Sequence, residues 1–200
     1  MNSDSLMIVI SISYFLGSLP YGYILVKAFY GVDIRTIGSK NIGTTNVLRA
    51  GYKGLALCTL LLDSFKGAIA ILLTRYYFDL PETYVAIAGL VAIVGHMYPV
   101  WLKFKGGKGV ATFFGTVLAF DPLVFLICGA VWLFVAITTR YSSLSAILAV
   151  IVFPISCYFL DEPLFYVSIV ISVLIIYKHR ENIKRLVQGV ESKVSFKKNS

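Results

Sequence analysis

The chain is poor in charge. Asp, Glu, Lys and Arg together make up 14% of its 200 residues, against 58% hydrophobic. Soluble domains carry about a quarter charged residues, so a water-soluble globule is excluded, as are a disordered chain and a solenoid of polar repeats. Cysteine is also scarce. Cys58, Cys128 and Cys157 each lie inside an apolar run, without metal-ligand spacing, and read as packing residues. The only histidines are His96 and His179, and no ligand cluster supports a metal, so neither metal nor cofactor is expected. Internal repeats and low-complexity segments are lacking.

What is present is a series of long apolar runs. A membrane span needs about 20 apolar residues. Spans are read near Leu6–Phe29, Leu55–Tyr77, Tyr84–Leu102, Val110–Phe120, Leu123–Thr138, Leu144–Leu160 and Leu164–Tyr177. The first lacks a basic n-region and a small-x-small cleavage site, so it is expected to be a retained helix. Gly17, Pro20 and Gly22 predict a kink in it. Val110–Thr138 is too long for one crossing and short for two. Asp121-Pro122 at its middle predicts a tight turn.

Charge decides the count. With seven spans and the N-terminus outside, all of the 18 cations except Lys66 and Arg75 fall on the inner side. The outer side collects Asp4, Asp79, Glu82, Asp121, Asp161 and Glu162. Six spans would send Arg140 and the basic tail outside, against the positive-inside rule. The expectation is an all-α integral membrane protein of about seven transmembrane helices, some short or kinked, with the C-terminus cytoplasmic. It forms one membrane-embedded domain over residues 1–200, with a basic, polar, frayed tail from about 191. The net charge of +8 therefore marks membrane topology and not a nucleic-acid partner.

Polar chemistry gathers on the inner side. The first inner loop, 33–49, offers Ser39, Asn41, Gly43, Thr44, Thr45, Asn46 and Arg49, a set able to wrap an anion. An ordinary capping loop has a similar composition. The second, Phe104 to Thr112, places Lys105, Gly106, Gly107 and Lys108 at a helix start, a phosphate cradle in composition. It is not a Walker A loop, because Gly109 follows Lys108. Ser142 and Ser143 beside Arg140 suit a phosphoryl oxygen or a helix cap. His96, within an apolar span, is a site candidate or a packed donor. Asp63 and Lys66 are spaced to pair on one helix face. His179 and Asn182 share a face if their helix continues.

Six segments in this order resemble the PlsY-type bacterial glycerol-3-phosphate acyltransferases over nearly the whole chain. They are Gly38 to Arg49, Asp63 to Gly67, Gly95 to Val100, Phe104 to Thr112, Tyr141 to Leu144 and His179 to Leu186. Two residues depart from that pattern: Lys40 stands where glycine is expected, and Thr44 where alanine is. The resemblance implies transfer of a fatty acyl group from acyl phosphate to the 1-position of sn-glycerol 3-phosphate. Lysophosphatidic acid and phosphate would be the products, made at the cytoplasmic face of the bacterial inner membrane. It implies membrane lipid as surroundings and no obligate protein partner.

On this reading the catalytic candidates are His179, Asn182 and His96. One phosphate is held by Lys105 to Lys108 with Ser142 and Ser143, the other by the Ser39 to Arg49 loop. The sequence does not order the two substrates between them. The His-x4-Asp dyad of soluble-domain-type acyltransferases is absent: Trp101 and Lys184 occupy the fifth positions after His96 and His179. Either a histidine acts alone, positioned by Asn182, or the acceptor's own phosphate takes the proton. The rival reading is a small transporter of an anionic phosphorylated solute. It needs polar sites reachable from both sides, and the outer loops offer none.

Overall fold

The structure, a computed structural model, describes residues 3–160 and 163–194. The described residues form ten α-helices and no strands. They are α1 (Ser3–Ser18), α2 (Tyr21–Tyr30), α3 (Thr44–Arg49), α4 (Lys53–Leu72), α5 (Glu82–Met97), α6 (Val110–Phe120), α7 (Pro122–Thr139), α8 (Ser142–Phe159), α9 (Phe165–Lys178) and α10 (Arg180–Val187). The first apolar run is broken between α1 and α2, at Leu19 and Pro20, where the expected kink falls. A π-helical turn, Leu73–Tyr77, extends α4.

Five segments are long and apolar enough to cross a bilayer: Ser5–Tyr30, Lys53–Tyr77, Glu82–Leu102, Pro122–Thr139 and Ser142–Phe159. α6 and α9 are apolar but shorter. Between α6 and α7 the chain turns at Asp121, whose carboxylate accepts from the Val124 N–H at 2.7 Å, and Pro122 opens α7. An N-cap followed by proline starts a helix cleanly, so the Val110–Thr138 run is two helices.

α4 packs on α6, and α1 on α5, while α7, α8 and α9 pack in sequence. In a lipid surrounding, close backbone approach replaces the hydrophobic effect as the source of helix association. Gly115 of α6 illustrates this: a Cβ there would lie 1.9 Å from the Ser64 carbonyl oxygen of α4. The larger core joins α5, α6, α8 and α9 through Ile93, Met97, Phe113, Val117, Phe153 and Ile175. A smaller core at the loop-rich end joins α2, α3 and α4 through Val26, Ile34, Val47 and Ala56. Many large apolar side chains point outward, among them Phe15, Phe65, Leu126, Phe134 and Ile137, as a lipid-facing surface requires.

At the opposite end of the bundle Arg75 is the paired cation. It meets Glu82 at 2.6 and 2.9 Å and donates to the Ala119 carbonyl at the end of α6. A cation at a helix C-terminus is favourably placed.

Candidate active site

The first inner loop is built around Asn46. Its side-chain N–H groups reach the carbonyls of Ile34, Ile37 and Asn41, and its Oδ1 accepts from Ser39 N at 2.9 Å. Asn41 accepts from Gly43 N at 2.8 Å. Asn46 therefore spends both its side-chain polar atoms on the loop, and Asn41 its Oδ1, as Asx turns do. Thr45 is left to meet Ser142 Oγ at 3.2 Å, and Thr44 Oγ1 is buried without a partner.

The glycine-rich loop is zipped onto the end of α5. Gly106 N donates to the Met97 carbonyl at 3.2 Å and Gly107 N to the His96 carbonyl at 3.0 Å. These two N–H groups are thus not turned toward a ligand, and the expected backbone cradle is not formed by them. The glycines serve close packing instead. A Cβ on Gly107 would lie 2.0 Å from His96 Nε2, and one on Gly106 would lie 2.2 Å from the His96 carbonyl oxygen. The two lysines part company: Lys105 lines an open pocket, whereas Lys108 reaches Asn182 Oδ1.

Around Lys108 the elements converge. Asn182 Nδ2 donates to Glu191 at 2.7 Å, and Ser143 Oγ donates to the same carboxylate oxygen at 2.8 Å. Arg185 pairs with the other oxygen at 2.7 Å. Arg49 donates to the Ser192 carbonyl at 2.5 Å, and its Nε is buried without a partner. His179 is 3% exposed, and its Nδ1 lies 2.8 Å from the Ile175 carbonyl. A carbonyl only accepts, so Nδ1 carries the proton and Nε2 presents a lone pair. The expected positioning by Asn182 is replaced by this backbone contact; Asn182 holds Lys108 instead.

Burial and crowded cations tune these groups. Burial, with Arg185, Arg49 and Lys178 nearby, brings the Lys108 ammonium down to about 8 despite Glu191. Burial and then Lys108 push the His179 imidazole down to about 4. Burial raises the Glu191 carboxyl, but bonds from Asn182, Ser143 and Arg185 outweigh it and the net shift is downward.

Glu191 and Arg185 were missed by sequence reasoning. The tail read as frayed from about 191 is held as far as 194: Arg140 donates to the Val194 carbonyl and Val194 N returns the bond to Arg140. The remainder of that tail lies outside the described residues. The available signal was that Glu191 is the one acid after Glu181 in a basic stretch.

His96 does not join the cluster. It is 4% exposed, and its Nδ1 lies 3.0 Å from Lys66 Nζ. Lys66 also meets Asp63 at 2.7 Å and the Leu19 carbonyl, exposed by the α1–α2 break, at 2.9 Å. The Asp63–Lys66 ion pair forms as its spacing predicts and is buried, with Lys66 finding further partners in Leu19 and His96 while Asp63 Oδ1 has no hydrogen-bond partner. No group of three or more His, Cys, Asp and Glu side chains able to hold a metal occurs among the described residues.

Residues 7–189 match the family model described as glycerol-3-phosphate acyltransferase. A glycerol-3-phosphate acyltransferase of Rhizobium etli is 49% identical over 187 residues, 93% of this chain and 90% of that one. One from Mesorhizobium japonicum is 48% identical over 193 residues, 96% of this chain and 97% of that one. The crystal structure of PlsY, an integral membrane glycerol 3-phosphate acyltransferase, in its glycerol 3-phosphate form aligns with TM-score 0.91 at 40% identity, over 96% of both chains. Its lysophosphatidic acid form aligns with TM-score 0.88 at 40% identity, over 94% of this chain and 95% of that one. With the fold, the polar convergence and the sequence in agreement over nearly its whole length, the chain belongs to the glycerol-3-phosphate acyltransferase family, as an integral membrane enzyme.

Proposed function

We propose that this acyltransferase moves a fatty acyl group from acyl phosphate to the 1-hydroxyl of sn-glycerol 3-phosphate, forming lysophosphatidic acid and releasing inorganic phosphate. The observation that carries the reading is the convergence of Thr45, Arg49, Lys108, Ser142, Ser143, His179 and Asn182 at one end of an apolar bundle. The acceptor and product named for the PlsY crystal forms support the same chemistry.

Both substrates are anions. Each pair of unit charges held about 6 Å apart repels by about 3 kcal/mol at an effective dielectric constant of about 20. Arg49 and Lys108 offset that repulsion, and Thr45 and Ser142 offer hydroxyls to phosphate oxygens, while Ser143, whose one hydroxyl hydrogen goes to Glu191, steadies that carboxylate. The donor is a mixed anhydride, so phosphate departs without strong acid assistance. The acceptor hydroxyl attacks the acyl carbonyl directly. The proton goes either to His179 Nε2 or to the acceptor's own phosphate. Near neutral pH the depressed imidazole is unprotonated, which suits an acceptor of hydrogen bonds and makes it a weak base. His96, sealed behind Lys66, acts by positioning the Gly107 backbone and not by touching substrate.

All seven apolar segments cross the membrane on this reading, the short α6 and α9 included. The chain is one domain, with its N-terminus outside and the active site facing the cytoplasm at the inner membrane. The test is direct. Purified protein in lipid, given acyl phosphate and glycerol 3-phosphate, releases phosphate only when both are present. Equal release without the acceptor would reject the transfer. Reporter tags placing the first and second inner loops on opposite sides would reject the topology.

A further inference from the structure

A second cationic region lies apart from the Lys108 cluster. It is a cavity of about 610 Å³, open to the surface. Five of its lining residues are cations, Arg35, Lys40, Lys105, Lys178 and Arg180, against one carboxylate, Asp33. Arg35 claims that carboxylate at 2.6 and 2.9 Å and holds it down to about 2. Lys40, Lys105 and Lys178 are left without a carboxylate partner, and Arg180 reaches only the exposed Glu181, at 3.9 Å. Lys178 rests on the Tyr98 ring at 4.5 Å and the Met97 carbonyl at 3.0 Å, and Arg180 lies over Tyr177 at 4.7 Å. The side chains of Lys40 and Lys105 have no ion-pair or hydrogen-bond partner among the described residues.

Backbone strain points to the same place. Lys40 and Phe104 line the cavity with φ of 59° and 61°, in the left-handed region that side chains avoid. Lys40 is also where the family pattern leads one to expect glycine, which would adopt that conformation freely. This chain keeps a cation there against a local cost, as functional sites do. Aromatic rings mark the depth. Trp101, Phe104 and Tyr177 are 53%, 58% and 55% exposed, and exposed rings beside cations mark the membrane–water interface.

We propose that this cavity binds the phosphate of an anionic phospholipid headgroup from the cytoplasmic leaflet, separately from the reaction cluster. Basic pockets between helices on that side bind such headgroups, and the cavity volume lies in the range of small-molecule sites. An occupant would bridge the first inner loop, the glycine-rich loop and the α9–α10 junction. Those three segments carry Arg49, Lys108 and His179.

The test compares nanodiscs of phosphatidylcholine alone with nanodiscs containing phosphatidylglycerol. Native mass spectrometry after detergent release reads retained lipid, and phosphate release reads activity. The native protein retains phosphatidylglycerol. The Lys178→Gln/Arg180→Ala variant retains it about tenfold less, while turnover in phosphatidylcholine alone stays at the native value. Equal retention by native and variant proteins overturns the proposal. So does retention abolished by millimolar inorganic phosphate or glycerol 3-phosphate, which assigns the cavity to a soluble phosphate. Loss of activity in neutral lipid would bear on the reaction cluster and is read separately from retention.

Discussion

Two cationic regions share one end of the molecule and treat charge in opposite ways. Around Lys108 most charge is answered: Lys108 by Asn182, Arg185 by Glu191, and Arg49 by the Ser192 carbonyl, although its Nε lacks a partner. In the Lys105 cavity Lys40, Lys105 and Lys178 have no carboxylate partner, and Arg180 has only Glu181 at 3.9 Å. Buried charge demands partners, whereas charge at a wet interface tolerates their absence. The cluster is accordingly where ionisation is tuned, with Lys108 at about 8 and His179 at about 4. The cavity is where charge stays available for a diffusing anion. A single glycine-rich loop feeds both regions.

The sharpest way to break the contrast is to remove its buried lysine. Lys108→Met lowers kcat/KM by about 100-fold, mostly through KM for at least one phosphorylated substrate, as loss of a charge-assisted contact to a buried anion predicts. Unchanged kinetics would remove Lys108 from phosphate binding. Next, Gly107→Ala drives a methyl group into the His96 ring. It raises KM by about 30-fold with a smaller change in kcat, because a misplaced loop displaces Lys108. A variant that merely folded poorly would lose active fraction and keep its KM.

A third prediction concerns pH. Lys108 has a depressed pKa, so it is charged below about 8 and neutral above it. KM therefore rises as pH climbs through about 8, by about tenfold between pH 7 and 9. Lys108→Arg, charged throughout, lacks that rise. A rise that persisted in Lys108→Arg would assign it to another group. The smallest effect is expected at the other lysine. Lys105→Ala changes kcat/KM by about threefold or less, since screening weakens an exposed cation. A loss matching that of Lys108→Met would merge the two regions into one.

The long apolar helices and the gathering of polar segments at one end were legible because hydropathy and lysine placement are written along the chain. The Asp63–Lys66 pair was legible as well, being local to one helix. Asp121-Pro122 gave the turn between α6 and α7 for the same reason. The site was only partly legible. Two cradles were expected, but Thr45 meets Ser142 and Arg49 meets the tail, so the two polar sets merge. Nothing local encodes that approach. Gly106 and Gly107 read as ligand donors from composition, yet their N–H groups were claimed by α5 carbonyls. Glu191 was hidden because its importance lies in what it touches: Ser143, 48 residues away, together with Asn182 and Arg185 of α10.

The brevity of α6 has a consequence for how oil-soluble and water-soluble reactants meet. Its 11 residues rise only about 16 Å, roughly half the thickness of a hydrocarbon layer. With α6 crossing the bilayer, as proposed above, the glycine-rich loop at its start would be drawn below the lipid surface, into a dimple of the leaflet. The hydrophilic reactant would then descend to the greasy tail, which keeps its native depth.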